Sequence, residues 1–378
     1  MSLAPLVDTK RIFVCAGTGG VGKTSVSAAL GLGAALRGKR VLVLTIDPSR
    51  RLAEALGIRQ NTPDPVPLGR DREAELGIEA PGSLSVWVLD PKRVSDQTVT
   101  RLARSKLEAE RLLANPIYQR VTSMIAGMQE YTAMEALHGF IEQDIYDIVI
   151  LDTPPSRNAL NFLEAPNRLA ASMNSRIVDL MRPSTGSGIV GTTRRFLERV
   201  LGGVFGGDFF ADLQVFFGAF GGMFIKLSSN AEQMRARLGE DDVAFLLVSS
   251  SGRDSIEQAQ AFESRIRELG LPLGALVLNR SLVPLARRPF PDASLLPRKP
   301  SAVQRSALDK LVQLAVRESK GINAAVDLSQ QLEARAEVPV VAVPELGSGV
   351  DDLEGLASVS TWLFGEAGPA WDPNRPET

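Results

Sequence analysis

The chain has 378 residues, 44% of them apolar, and its 42 Lys and Arg against 44 Asp and Glu leave a net charge of −2. Such a balance lacks the global basic field of nucleic-acid binders. One cysteine, Cys15, and one histidine, His138, exclude an internal disulfide, a multi-thiolate zinc site and a centre built on several imidazoles. The sequence has no apolar run long enough to span a membrane. Its start, MSLAPLVDTKRIFVCAG, lacks a basic region followed by a long apolar core, so no cleaved signal is expected. The single thiol then points to the cytoplasm.

Taken in chain order, the first apolar run (11–17) leads into Gly17-Thr18-Gly19-Gly20-Val21-Gly22-Lys23-Thr24, a full match to G-x-x-x-x-G-K-[ST]. A helix is predicted from Lys23 to about Arg37, ending near Gly38. Glycines let backbone N–H groups turn inward around phosphate oxygens, and the helix N-terminus adds its positive end. In this arrangement Lys23 reaches the β- and γ-phosphates and the Thr24 hydroxyl binds Mg²⁺. The next run, 40–47, ends in Asp47, and Pro48 opens a helix. Asp47 is the candidate to orient an attacking water, because no histidine is placed to do so. Residues 61–83, with Pro63, Pro65, Pro67 and Pro81, read as a loop. After the run at 84–90 comes a long interval, then the run 147–152 ending in Asp152. A carboxylate at that strand end is the expected holder of Mg²⁺ together with Thr24.

The intervals before and after 147–152 each exceed what one crossover helix needs. They are expected to form an inserted helical subdomain at about 95–140 and 165–235. Ile117, Val121, Met124, Met128 and Tyr131 recur there at helical spacing. Seven of the 15 Phe lie between Phe205 and Phe224. On a helix they fall, with Leu213, within an arc of roughly 140° opposite Gly207, Gly218, Gly221 and Gly222. The stripe reads either as packed core or as a groove for an apolar helix. Runs at 243–250, 275–280 and 338–343 complete the strands. Where guanine-specific sites carry N-K-x-D, this chain has Leu278-Asn279-Arg280-Ser281, which favours adenine. Residues 284–303 are expected to be a flexible Pro/Arg loop and 366–378 a disordered tail.

The apolar runs are continuous rather than alternating, as in strands buried on both faces. The fold class is therefore α/β: a doubly wound, mostly parallel sheet of the P-loop NTPase type, one domain over 10–365 with the helical subdomain inserted.

Together these residues resemble the arsenite-pump and tail-anchored-protein-targeting ATPases, anion-transporting ATPase-like members of the dimerising deviant P-loop class. The resemblance rests on GTGGVGKT at 17–24, TIDPSRRL at 45–52, LDTPPSRNALNFLEAP at 151–166, LVLNR at 276–280 and VPVVAVPEL at 338–346. It implies that Gly17 to Thr24 and Ser25 bind ATP, that Lys23 and Asp47 act in hydrolysis, and that Thr24 and Asp152 hold Mg²⁺. It also implies a first switch at Asp47, a second at Asp152 with Thr153-Pro154-Pro155, an adenine contact from Asn279, and a base pocket lined by Pro344, Glu345 and Leu346. Family members dimerise across the nucleotides, and the targeting branch opens and closes an apolar groove for a client helix.

Three departures mark this chain as a bacterial-type member. The family's signature lysine, which reaches across the dimer to the partner's phosphates, is Thr18 here. The cysteines that join targeting dimers through zinc are missing, and so is the arsenite-binding triad. The expected function is a nucleotide-dependent dimeric ATPase, weak when alone, that opens and closes an apolar client- or partner-binding subdomain in membrane-protein handling. A homodimer and a heterodimer with a lysine-bearing paralogue both remain open. The alternatives are a nucleotide-switched scaffold with little turnover, or the ATPase subunit of a non-arsenite anion pump. No nucleic acid and no zinc are expected.

Overall fold

The computed structural model describes residues 2–45, 56, 62, 64–119, 128–153, 212, 216, 229, 230, 232–287, 290–346, 350 and 352–365. Strands β1 (Ile12–Gly17), β2 (Arg40–Thr45), β3 (Val66–Pro67), β4 (Ser83–Val88), β5 (Ile148–Asp152), β6 (Val243–Ser250), β7 (Leu273–Asn279) and β8 (Val340–Ala342) form one sheet. Their order is β3-β4-β2-β5-β1-β6-β7-β8. The pairings are parallel except β3 with β4. The doubly wound α/β reading of the sequence therefore holds.

β1 lies between β5 and β6, and it is buried throughout. Its residues alternate between two cores. Phe13 and Cys15 join the face covered by α1 (Ala4–Thr9), α2 (Lys23–Leu36) and the C-terminal helix Leu353–Leu363, whereas Ile12 and Val14 join the face covered by helix Met128–Gln143. From β1 the chain crosses outward to β2 on one side, and later strands build on the other. The C-terminal end of β1 is thus a topological switch point, where open α/β sheets place their ligands. α2 can sit close because it is poor in bulk: a Cβ at Gly33 would overlap the Phe364 ring.

The long intervals contain the expected helices only in part within the described residues. Helices Pro91–Leu102, Lys106–Leu113 and Met128–Gln143 occupy the first. Val99, Ala109, Leu112, Tyr118 and Phe216 form a small core separate from the main ones. The Asn115 amide donates to the Asp212 carbonyl at 2.8 Å, tying the two intervals together. Most of the Phe-rich stretch, the tail at 366–378 and Met124 lie outside the described residues, whereas Phe216 is buried.

Two segments read as loops carry more structure than their prolines suggested. Within 61–83, Val66–Pro67 forms the antiparallel edge strand, and helix Arg70–Glu75 follows. That helix, RDREAE, is rich in good helix formers and is anchored to the sheet, where buried Glu73 accepts the Leu84 N–H at 3.0 Å. Within 284–303, 3₁₀ turns at Val283–Arg287 and Ala293–Leu295 precede a 35-residue helix, Ala302–Ala336, which starts on a Ser301/Gln304 capping box. Among the described residues no helix is long and apolar enough to cross a membrane.

One ion pair clips the entrances of β2 and β5 together. Asp147 accepts from the Arg40 side chain at 2.6 Å and from its backbone N–H at 2.8 Å. The Arg40 guanidinium holds the Asp147 carboxyl below its ordinary range. A carboxylate with a lowered folded-state value stabilises the fold above the ordinary carboxylate range, and this contribution is lost as pH falls through the lowered value. Both groups are substantially solvent-exposed, so the effect is screened. Urea midpoints followed from neutral to strongly acidic pH should fall less steeply for Asp147→Asn than for the unaltered chain, starting from a lower value at neutrality. Parallel curves for the two proteins would contradict this assignment.

Candidate functional site

The loop between β1 and α2 is built by conformation that only glycine adopts readily. Gly17 (φ 154°), Gly20 (φ 77°) and Gly22 (φ 89°) all have positive φ. Space is a second constraint. A Cβ on Gly17 would overlap the Val248 carbonyl of β6, and one on Gly22 would overlap the Asn279 carboxamide. Gly19 and Gly20 stand exposed at the crest, Thr18 is half-buried, and Val21 is buried beneath. Gly22 is also the N-cap of α2, so the first amides of the helix continue the curve of the loop.

Lys23 opens α2 and is only 6% exposed. Its Nζ donates back across the loop to the Thr18 carbonyl at 2.8 Å. The ammonium is therefore held over the loop, beside the helix N-terminus. Thr24 and Ser25 follow, half-buried. The Thr24 hydroxyl donates to Asp152 Oδ2 at 2.7 Å.

Asp152, at the end of β5, is fully buried. A buried carboxylate needs donors around it. Besides Thr24, it accepts from Thr45 at 2.9 Å and, more weakly, from Ser27 at 3.4 Å. The parallel register explains the meeting: Asp152 is paired with Thr45 of β2 on one side and Cys15 of β1 on the other. Thr153 fixes the chain beyond β5, its hydroxyl donating to the Cys15 carbonyl at 2.8 Å. Burial pushes the Cys15 thiol up to about 12; Ser27 lowers it somewhat and Asp152 raises it.

Across the crevice, Asn279 ends β7 and is buried; its Nδ2 donates to the Val21 carbonyl at 2.8 Å. The segment predicted to line a base pocket follows β8: Pro344 and Leu346 are half-buried and Glu345 is exposed. It is laced to the end of β7, Val343 N–H donating to Leu278 at 2.9 Å and Ser281 N–H to Val343 at 2.8 Å. The structure thus gathers Gly17 to Ser25, Asp152 and Asn279 at the C-terminal end of the parallel strands, with Pro344 to Leu346 following β8 next to β7. Asp47, Pro154 and Pro155 lie outside the described residues.

Thr45 and Ser27 were not singled out from the sequence, and Thr153 was read only as part of a second switch. Thr45 carried a signal, a hydroxyl closing an otherwise apolar run just before Asp47. Among the described residues no group of three or more His, Cys, Asp and Glu side chains converges. His138 lies away on helix Met128–Gln143, 3.3 Å from Glu142.

Such a loop, with a buried ammonium, a helix N-terminus and a hydroxyl–carboxylate pair, can hold a polyphosphate and a hard divalent cation. A family model described as anion-transporting ATPase matches residues 9–310, and the chain belongs to that family. ATPase GET3 of Kluyveromyces lactis is 30% identical over 175 residues, covering 43% of this chain and 47% of that protein. An ATPase ASNA1 homolog of Entamoeba dispar is 28% identical, covering 50% and 57%. ATPase GET3 of Malassezia globosa is 23% identical over a longer stretch, 75% of this chain and 77% of its own. Apart from that last case, the chain spans about half the length, or less, of the curated relatives it matches.

Two expectations follow from the buried cluster. Thr45→Val removes a donor from a carboxylate that stays buried, which should lower stability by about 1–3 kcal/mol; a urea midpoint equal to that of the unaltered chain would contradict it. The Cys15 thiol should resist an alkylating reagent at pH 8 in the folded protein and react once urea unfolds it. Mass measurement of the adduct decides.

Proposed function

We propose that this anion-transporting ATPase family member binds ATP with Mg²⁺ at the β1–α2 loop and hydrolyses it. The observation that carries the reading is the buried Lys23 ammonium, held over a glycine loop and a helix N-terminus beside the Thr24–Asp152 pair. In the reaction a water oxygen bonds to the γ-phosphorus while the bond to the β–γ bridging oxygen breaks, giving ADP and phosphate. The amides of Gly19 to Thr24 and the Lys23 ammonium bind and orient the phosphate oxygens and offset their growing charge. Thr24 and Asp152 would hold Mg²⁺, which supplies charge neutralisation between the β- and γ-phosphates. Asp47 would orient the water, a role resting on its sequence context. Asn279 and Pro344 to Leu346 are the proposed adenine contacts.

The remaining parts follow from the resemblance. The active unit is a dimer meeting across the nucleotides in the cytoplasm, and the helical subdomain (95–140 and 165–235) opens and closes on an apolar helix or membrane-protein client. Thr18 decides which dimer. A cation supplied in trans to a phosphoryl transition state is worth about 10³–10⁵ in rate. A neutral hydrogen bond contributes about 0.5–1.5 kcal/mol. A Thr18 hydroxyl cannot stand in for the lysine. A homodimer would then turn over slowly unless Arg50 or Arg51 supplies the charge. The reading we favour is a heterodimer in which a lysine-bearing paralogue completes this chain's site. The same substitution supports one second reading, a nucleotide-switched scaffold with little turnover.

Calorimetry with ATP and Mg²⁺ should register binding to the unaltered chain. Lys23→Ala should weaken it about 10²–10⁴-fold, the loss of two hydrogen bonds from a charged donor. Absence of binding by the unaltered chain would refute the nucleotide reading. Thr18→Lys should raise the turnover of the purified chain about tenfold or more. No increase would argue against completion of the site by a lysine at that position.

A further inference from the structure

Asn279 touches the phosphate loop rather than merely facing it, and this has consequences separate from any base contact. Its carboxamide Nδ2 donates to the Val21 carbonyl at 2.8 Å, spanning 258 positions of sequence. The bond is buried: Asn279 is 8% exposed and Val21 3%. Asn279 itself is held firmly. The next residue, Arg280, is in the left-handed region (φ 53°), so the chain turns at once beyond β7. Ser281 and Leu278 are then both bonded to Val343.

Gly22 supplies an independent sign of the same contact. It is left-handed and caps α2, and a Cβ there would overlap the Asn279 carboxamide. Asn279 therefore occupies the space that a side chain at position 22 would fill. The loop is clamped between two fixed strands, with Gly17 against the Val248 carbonyl of β6 and Val21–Gly22 against Asn279 of β7.

We infer that Asn279 is a positioning residue for the phosphate loop: its amide holds the Val21 carbonyl outward so that the neighbouring N–H groups point into the loop. This rests on the nucleotide reading above and deepens it. A carboxamide has one oxygen and two N–H groups. One N–H is used on Val21, which leaves chemistry for the adenine contact that the resemblance implies. A single side chain then ties the base end of the site to the phosphate end. The positioning role alone acts on a ligand that has no base.

The discriminating probe is inorganic tripolyphosphate with Mg²⁺, compared with ATP and Mg²⁺. Affinities are measured by calorimetry for the unaltered chain and Asn279→Ala, well below the unfolding midpoint of each. Under the positioning role, Asn279→Ala weakens tripolyphosphate and ATP alike by about 3- to 10-fold. A further loss confined to ATP reports the adenine contact in addition. A purely structural role would lower the unfolding midpoint and leave tripolyphosphate affinity in the folded protein unchanged. Unchanged tripolyphosphate affinity, whether ATP binding falls or not, overturns the inference while leaving the nucleotide reading intact. An unaltered chain that binds neither ligand overturns both. Should Asn279→Ala not fold, Asn279→Ser is used; it keeps a polar group in the buried position but one too short to hold Val21.

Discussion

A cation at the head of a helix works against the macrodipole, and burial makes its position worse. Lys23 accepts both conditions: it is the first residue of α2 and only 6% of it is exposed. A charge near a helix terminus is worth about 0.3–1 kcal/mol, here with the unfavourable sign. Its ammonium donates to the Thr18 carbonyl at 2.8 Å. Packing alone does not call for such a residue here, since an apolar side chain could fill the position without the penalty. The positive potential of the loop amides, the helix end and the ammonium has one common complement, a multiply charged anion. The proposed triphosphate supplies it.

The rest of the fold arranges that concentration of charge. A central β1 buried on both faces must be apolar, and its six residues are (Ile12 to Gly17). Their strict alternation between two cores fixes the register, and the register sets Thr45, Asp152 and Cys15 side by side. The carboxylate that faces the loop is thus positioned by hydrophobic packing several residues upstream, while its donors, Thr24 and Thr45, fix its orientation. Cys15 shows the same environment acting on a different group. A thiol in that row stays protonated because burial disfavours its charged form. Asp152, in contrast, accepts from the hydroxyls of Thr24, Thr45 and Ser27.

What the sequence disclosed follows from how local each signal is. The glycine loop, Lys23 and Thr24 are contiguous, so their chemistry could be read directly. The strands were legible because burial on both faces leaves unbroken apolar runs, and Asp152 because it ends one. Contacts formed by long-range pairing left little trace. The Glu73 carboxylate anchors helix Arg70–Glu75 by meeting the Leu84 N–H, a contact distant in sequence, so a segment flanked by prolines read as a loop. Thr45 becomes part of the site only once β2 lies beside β5. Asn279 was read for the base, yet its amide reaches Val21, a contact created by β7 lying two strands from β1.

The distinction between backbone and side chain also explains how the loop tolerates Thr18. Within one chain, position 18 contributes its carbonyl to Lys23, and any residue there provides that carbonyl. The side chain adds nothing to the loop's own hydrogen bonding that a lysine would improve. The glycines at 17, 20 and 22 are different: their φ values, or the atoms packed against them, forbid replacement. The loop's own geometry therefore depends on these glycines and on Asn279, and leaves the side chain at position 18 free to vary. In the dimer proposed above, a threonine there leaves the loop geometry within this chain untouched and removes only what the chain would lend to its partner. In the proposed heterodimer that asymmetry would make the two sites differ in rate.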